Sequence, residues 1–187
     1  MKWASLFMLC VATRAGAQDS TYSELRFRLS AFRNPVAGHI TDDWKPGTGA
    51  QVEVATPIAQ GELSLAVGHV GYTATTGRPD FTGTLFTLAW TTRVAHIARL
   101  QMSGGVRLTD FRMDFDDPSL VVGLRTEEEV MLGLIGRGRI VIGRRFALFG
   151  DGSVGVLMLG TRTPMVLIHA GVERAVSTPG WLRGILR

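Results

Sequence analysis

Cysteine is almost missing from this 187-residue chain. The single one, Cys10, stands in an apolar N-terminal run. The rest of the sequence has no thiol, which excludes disulfide staples and thiolate metal sites there. The run itself, Trp3 to Ala12, is half as long as the roughly 20 residues a membrane-crossing helix needs. No HExxH occurs. The glycine-rich stretch Gly133 to Gly143 lacks the Lys-Ser/Thr ending of a phosphate loop. The net charge is only +4, and the basic residues are scattered rather than massed, so nucleic acid has no footprint here. Past the N-terminus, no segment holds a clear helical period for three turns.

What is present begins with an export signal. Met1 and Lys2 form a short positive start, the apolar run follows, and Ala15-Gly16-Ala17 supplies small residues for a signal peptidase. This layout predicts a cleavable signal peptide over 1–17. Cleavage removes Lys2 and Arg14, so the net charge of the mature chain falls to about +2. Lipidation at Cys10 would need small residues before it, and Phe7, Met8 and Leu9 stand there instead.

From residue 18 the dominant signal is alternation. Ala98, Leu100, Met102, Gly104, Val106 and Leu108 share one face. Arg99, Gln101, Ser103, Gly105, Arg107 and Thr109 share the other. Strand side chains point to opposite sides in turn, so this pattern reads as a strand with one apolar and one polar face. Leu25, Phe27, Leu29 and Ala31 alternate likewise with Glu24, Arg26, Arg28 and Ser30, and Val130, Leu132 and Leu134 with Glu129, Met131 and Gly133. The reading gives eight strands near 22–33, 49–57, 61–74, 81–92, 97–112, 127–142, 146–159 and 164–176. Most reach the roughly 9–11 residues a tilted strand needs to cross a bilayer. Phe32 and Tyr72 break parity, and Gly68-His69 marks an expected bulge. The strand at 146–159 is apolar on both faces near its end. Long connections at 34–48 and 113–126 contrast with tight ones at 57–60 and 143–145.

The fold class this implies is all-β: an antiparallel up-and-down eight-stranded barrel over 18–177, after the signal, with a tail or short helix over 178–187. In that tail Thr178 would cap, Pro179 would open the helix, and Trp181, Leu182, Ile185 and Leu186 would share a face. Alternation alone does not say which face is inside. A soluble barrel turns its apolar face inward and a membrane barrel outward. Charge favours the second. The polar faces carry both signs, and the expected lumen network is Glu24, Arg26, Arg28, Glu53, Arg99, Arg107, Glu127, Glu129, Arg137, Arg139, His169 and Glu173. Opposite charges in matched number can satisfy one another inside a narrow barrel. Tyr22, Phe81, Trp90, Phe111 and Phe146 stand near strand ends, as an aromatic girdle would.

In this size, signal and strand rhythm the chain resembles the small bacterial outer-membrane β-barrel family, of the OmpA/OmpX-like kind. The resemblance rests on pattern, not on an identifying motif. It implies residence in the bacterial outer membrane with both termini in the periplasm. The implied partners are outer-membrane lipid and lipopolysaccharide, the barrel-insertion machinery and no nucleic acid, with the chain as a monomer. One departure is plain: such proteins often end on an aromatic residue, whereas here the last strand closes on Val176 and the chain on Arg187.

Catalytic sets are not evident, so the expectation is a non-enzyme without cofactor or metal. His39, His69, His96 and His169 show no metal-ligand spacing. His39 lies near Asp42 and Asp43, a pattern read as a solvated loop. His169 is read as an interior histidine bonded to a glutamate or arginine rather than as a general base. Asp114, Asp116, Asp117 and Glu127-Glu128-Glu129 are read as solvated acids; the spacing of an EF-hand loop is absent. Two alternatives stay open. One is a soluble or periplasmic lipocalin-like barrel holding an apolar ligand. The other is a lipid A-modifying enzyme, although Gly171 stands two residues after His169 where a serine would be wanted.

Overall fold

The computed structural model describes residues 22–38, 40–58, 60–117, 126–158 and 162–181. The expected signal peptide over 1–17, His39 and the tail beyond Trp181 lie outside the described residues. The strands are β1 Glu24–Val36, β2 Trp44–Pro46, β3 Gly49–Ile58, β4 Gly61–Ala74, β5 Phe81–Ile97, β6 Leu100–Phe115, β7 Thr126–Val141, β8 Phe146–Leu157 and β9 Thr163–Ser177. A single helical turn, α1 Ile40–Asp43, precedes β2.

Eight of these strands pair antiparallel with their neighbours in a closed ring: β1, β3, β4, β5, β6, β7, β8, β9 and back to β1. The closing ladder runs from Glu24 opposite Ser177 to Val36 opposite Val166. Closure leaves no long unpaired edge, which a sheet without covering helices requires. The three-residue β2 adds to the end of β4, with Trp44 opposite Ala74. Both ends of the barrel chain lie with the tight turns, where the Thr178 amide donates to the Ser23 carbonyl at 3.1 Å. We call this the turn end, and the opposite rim the loop end.

Two details differ from the alternation reading. The ladder passes Gly68-His69 without a bulge: Gly68 faces Gln51 and Leu85, and His69 faces Ala50 and Thr84. The register shifts fall between Arg33 and Val36 and between Arg93 and Ala95. Ala98 and Arg99 do not open a strand. They form the tight β5–β6 turn, with Ala98 at φ 52°. Turns of this kind usually display Gly, Asn or Asp. With Ala-Arg instead, the apolar–polar rhythm runs straight through the turn and hides it.

Glycines on the inner wall leave room for rings. The Phe32 ring fills the space above Gly49, and the Phe111 ring that above Gly83. A side chain at either glycine would collide with the ring.

Candidate functional site: the filled interior and the apolar exterior

The outward row of each strand is apolar through its middle. Leu65 is 63% exposed and Leu134 is 64% exposed, and Val52, Leu88, Leu108, Leu148, Val154 and Val172 are exposed beside them. Monomers in water rarely show a continuous apolar surface on this scale. The inward row holds the charge. This is the inverse of a lipocalin-like barrel, so the expectation of an apolar ligand pocket inside does not describe this molecule.

The interior has two levels. At the loop end, Phe32, Trp44, Tyr72, Phe81, Phe111, Met113, Phe115, Met131, Leu157, Met165 and Leu167 pack into one apolar cluster. Tyr72 and Phe81 stack at 4.4 Å between centroids, and Trp44 meets Phe81 edge-on at 5.4 Å. Phe32 and Tyr72, which broke parity as apolar residues on a polar row, are on their proper faces. The inward row changes from charged to aromatic partway along the strand. Phe81 and Phe111 are buried in this cluster too, so they belong to no lipid-facing girdle. Trp90 and Phe146 do point outward near the turn end, and Tyr22 is half-buried.

Nearer the turn end lies a network of alternating charges. Arg28 at its centre donates from Nε to Glu173 at 2.7 Å and from Nη2 to Glu62 at 2.6 Å, and its Nη1 bonds Glu53. Arg137 grips Glu53 with both terminal nitrogens, at 2.8 and 2.9 Å, and reaches Asp151 at 3.0 Å. Two donors of one guanidinium on two carboxylate oxygens form the strongest common ion-pair geometry. Arg139 donates to Glu173 at 2.6 Å and to the Gln101 side chain at 2.8 Å. Arg26 bridges Glu24 at 2.8 Å and Glu62 at 2.6 Å. The guanidiniums of Arg28 and Arg137 both lie over the Phe149 ring, 5.8 and 5.4 Å from its centroid. Linked through shared carboxylates, the network touches every barrel strand except β5, which instead contributes Thr87, bonded to Thr109 of β6 at 3.0 Å.

Arg107, 1% exposed, donates to the Ser153 hydroxyl at 2.9 Å and lies 3.6 Å from Asp151. Its Nη1 is 3.3 Å from His169 Nε2, and the Phe32 ring stacks on His169 at 5.1 Å. The serine hydroxyl and the histidine nitrogen thus both face a guanidinium rather than each other, so the geometry does not assemble a nucleophile and its base. Among the described residues no group of three His, Cys, Asp or Glu side chains is placed to hold a metal ion.

Of the twelve residues expected in the lumen, the structure brings Arg26, Arg28, Glu53, Arg107, Arg137, Arg139, His169 and Glu173 together, with Glu24 at the edge. Arg99 is not among them; it is exposed in the β5–β6 turn. Glu127 is exposed at the loop end, and Glu129 is half-buried there, far along β7 from Arg137. Two acids in the network escaped the sequence reading: Glu62 and Asp151. Each has a strand signal, since Glu62 shares parity with buried Ser64 and Ala66, and Asp151 with Ala147, Phe149 and Ser153. In β8 the inward apolar residues hid the parity that Asp151 keeps.

No protein-family model and no curated protein sequence matches this chain. Solved structures do. The N-terminal β-barrel domain of Pseudomonas aeruginosa OprF superposes with a TM-score of 0.59 at 8% identity, over 83% of this chain and 99% of that one. P. aeruginosa outer membrane protein OprG gives 0.58 at 9% identity, over 87% and 100%. A major outer membrane protein from Thermus thermophilus gives 0.53 at 14%, over 81% and 99%. The likeness is one of fold: a small barrel of the bacterial outer-membrane type.

Proposed function

We propose that this chain, which folds as small outer-membrane barrels do, is an integral barrel of the bacterial outer membrane with a sealed interior. Its role is structural or exercised through the surface at its loop end. The observation that supports this reading is the inversion of polarity: a belt of exposed Leu, Val, Ile and Phe surrounds a wall whose inner face carries paired charges. In water such a belt would drive aggregation, whereas in hydrocarbon it replaces lipid–lipid contact at no penalty. Closure pairs the wall's strands on both sides all round the ring, as hydrocarbon demands. The ion network and the aromatic cluster fill the two levels of the lumen, which supports a filled barrel rather than a channel and a non-enzymatic role. Lipid and lipopolysaccharide would contact the belt, and the insertion machinery would receive the chain after export.

The test is extraction. The full chain expressed with its signal should be found in the outer-membrane fraction until detergent is added. It should also migrate faster unheated than boiled on a denaturing gel. Recovery in the soluble periplasmic fraction, with no heat-dependent shift, would sink the proposal.

A further inference from the structure

We propose that the turn end carries a binding surface for anionic phospholipid headgroups, formed by Arg93, Arg99, Arg144, Arg145 and Arg174 beside Phe146. The inference rests on the membrane reading above and adds to it which lipid is held, and where.

Charge is divided unequally between the two rims. At the loop end, acids such as Asp43, Asp80, Asp114, Asp116 and Glu127 stand among Arg33, Lys45, Arg78 and Arg112. Two of these bases are already paired with acids: Arg78 with Asp43 at 3.0 Å and Arg112 with Asp114 at 3.4 Å. At the turn end the carboxylates Glu24, Glu62 and Glu173 are engaged by Arg26, Arg28 and Arg139. The five arginines named above are exposed, and among the described residues none has a carboxylate partner.

Arg99, Arg144, Arg145 and Arg174 also form one arc, and Arg93 lies on β5 just before the first of these turns. The Arg99 carbonyl accepts from the Val141 amide at 3.1 Å, which sets the β5–β6 turn beside the β7–β8 turn bearing Arg144 and Arg145. The Arg145 carbonyl accepts from the Ala175 amide at 2.8 Å, next to Arg174 on β9. Arg174 pairs across the strands with Phe146, and its guanidinium carbon lies 5.8 Å from that ring's centroid.

The position of the arc selects the partner. Ile97, Ile142 and Phe146 are 67, 58 and 55% exposed, so the apolar belt reaches the same level. A lipid phosphate sits where the hydrocarbon ends. Arginine stems can lie along apolar surface while their heads reach that depth, and guanidinium matches phosphate with paired hydrogen bonds.

The test uses the full mature protein refolded into bilayers, with spin-labelled phosphatidylglycerol or phosphatidylcholine as probe. Electron paramagnetic resonance then reads the lipid immobilised at the barrel surface. We expect phosphatidylglycerol to be preferred about threefold at low salt, with the preference fading near ~1 M salt. The R144Q/R145Q/R174Q variant should lose the preference while keeping the same amount of immobilised lipid. If that variant fails to refold by its heat-dependent gel shift, R93Q/R99Q provides the same comparison at the neighbouring turn. Equal preference in wild type and variant, or none in either, overturns the inference and leaves the membrane reading standing. An absence of any immobilised lipid overturns both. Sacculus binding that depends on these arginines, without lipid preference, overturns it in favour of a cell-wall acid.

Discussion

At the scale of single residues, position along the lumen decides what a charge is worth. Glu53 is 2% exposed and bonded to two arginines. Removing it leaves Arg28 and Arg137 short of a partner in a site with little water. Glu53→Ala should therefore cost about 3–5 kcal/mol, read from urea unfolding of the protein refolded into lipid vesicles. Glu24 pairs with Arg26 at the turn-end rim, where its side chain keeps 38% exposure. Its removal should cost less than ~1 kcal/mol in the same assay, because solvent screens the pair and replaces it. Equal costs at the two sites would show that the network is not sealed from water. Most of these residues were legible because a charge on a strict two-residue rhythm has only one face to occupy. Arg99 misled because the rhythm crossed a turn. Asp151 was missed because its inward neighbours Ala147 and Phe149 are apolar, so the inward row of β8 did not read as polar.

At the scale of the strand and the turn, pattern carries most of the information. The alternation at 61–74 names β4 residue for residue, and the strands at 49–57 and 164–176 fall within one residue of β3 and β9 at each end. The β5–β6 hairpin is the exception. Ala98 takes a left-handed backbone that a side chain with Cβ resists. Ala98→Gly should accordingly raise stability by roughly 1 kcal/mol, visible as a shift of the unfolding midpoint with an unchanged slope. A loss of stability would mean that the turn conformation is not what the backbone shows. The outward rows have their own test. Leu134 lies midway along β7 and faces out. An arginine there would stand near the centre of the hydrocarbon, so Leu134→Arg should cost about 2–4 kcal/mol in vesicles. A neutral result would place that face in water. The long loops were visible as runs rich in Pro, Gly and Asp, but the aromatic cluster beneath them was not. It draws one to three residues from each of several strands.

At the scale of the whole molecule, the two levels of the interior act together. In a planar bilayer the protein should pass no steady ionic current, because the arginine–carboxylate chain and the aromatic cluster each close the lumen. Sustained single-channel openings would refute the filled-barrel reading. Sequence by itself determined the fold class, the eight barrel strands and the two faces of most of them, because a period of two is written into successive residues and needs no distant partner. It also favoured the orientation, since charges of both signs shared one face. Tertiary structure alone decided which charges meet. Arg28 finds Glu173 across 145 residues of chain, and Arg137 finds Glu53 across 84. It alone decided, too, that Phe32 and Tyr72 belong inside and that five exposed arginines line one rim. The physical reason is closure: once the ring forms, residues remote in the chain share a narrow interior where each charge must find its opposite.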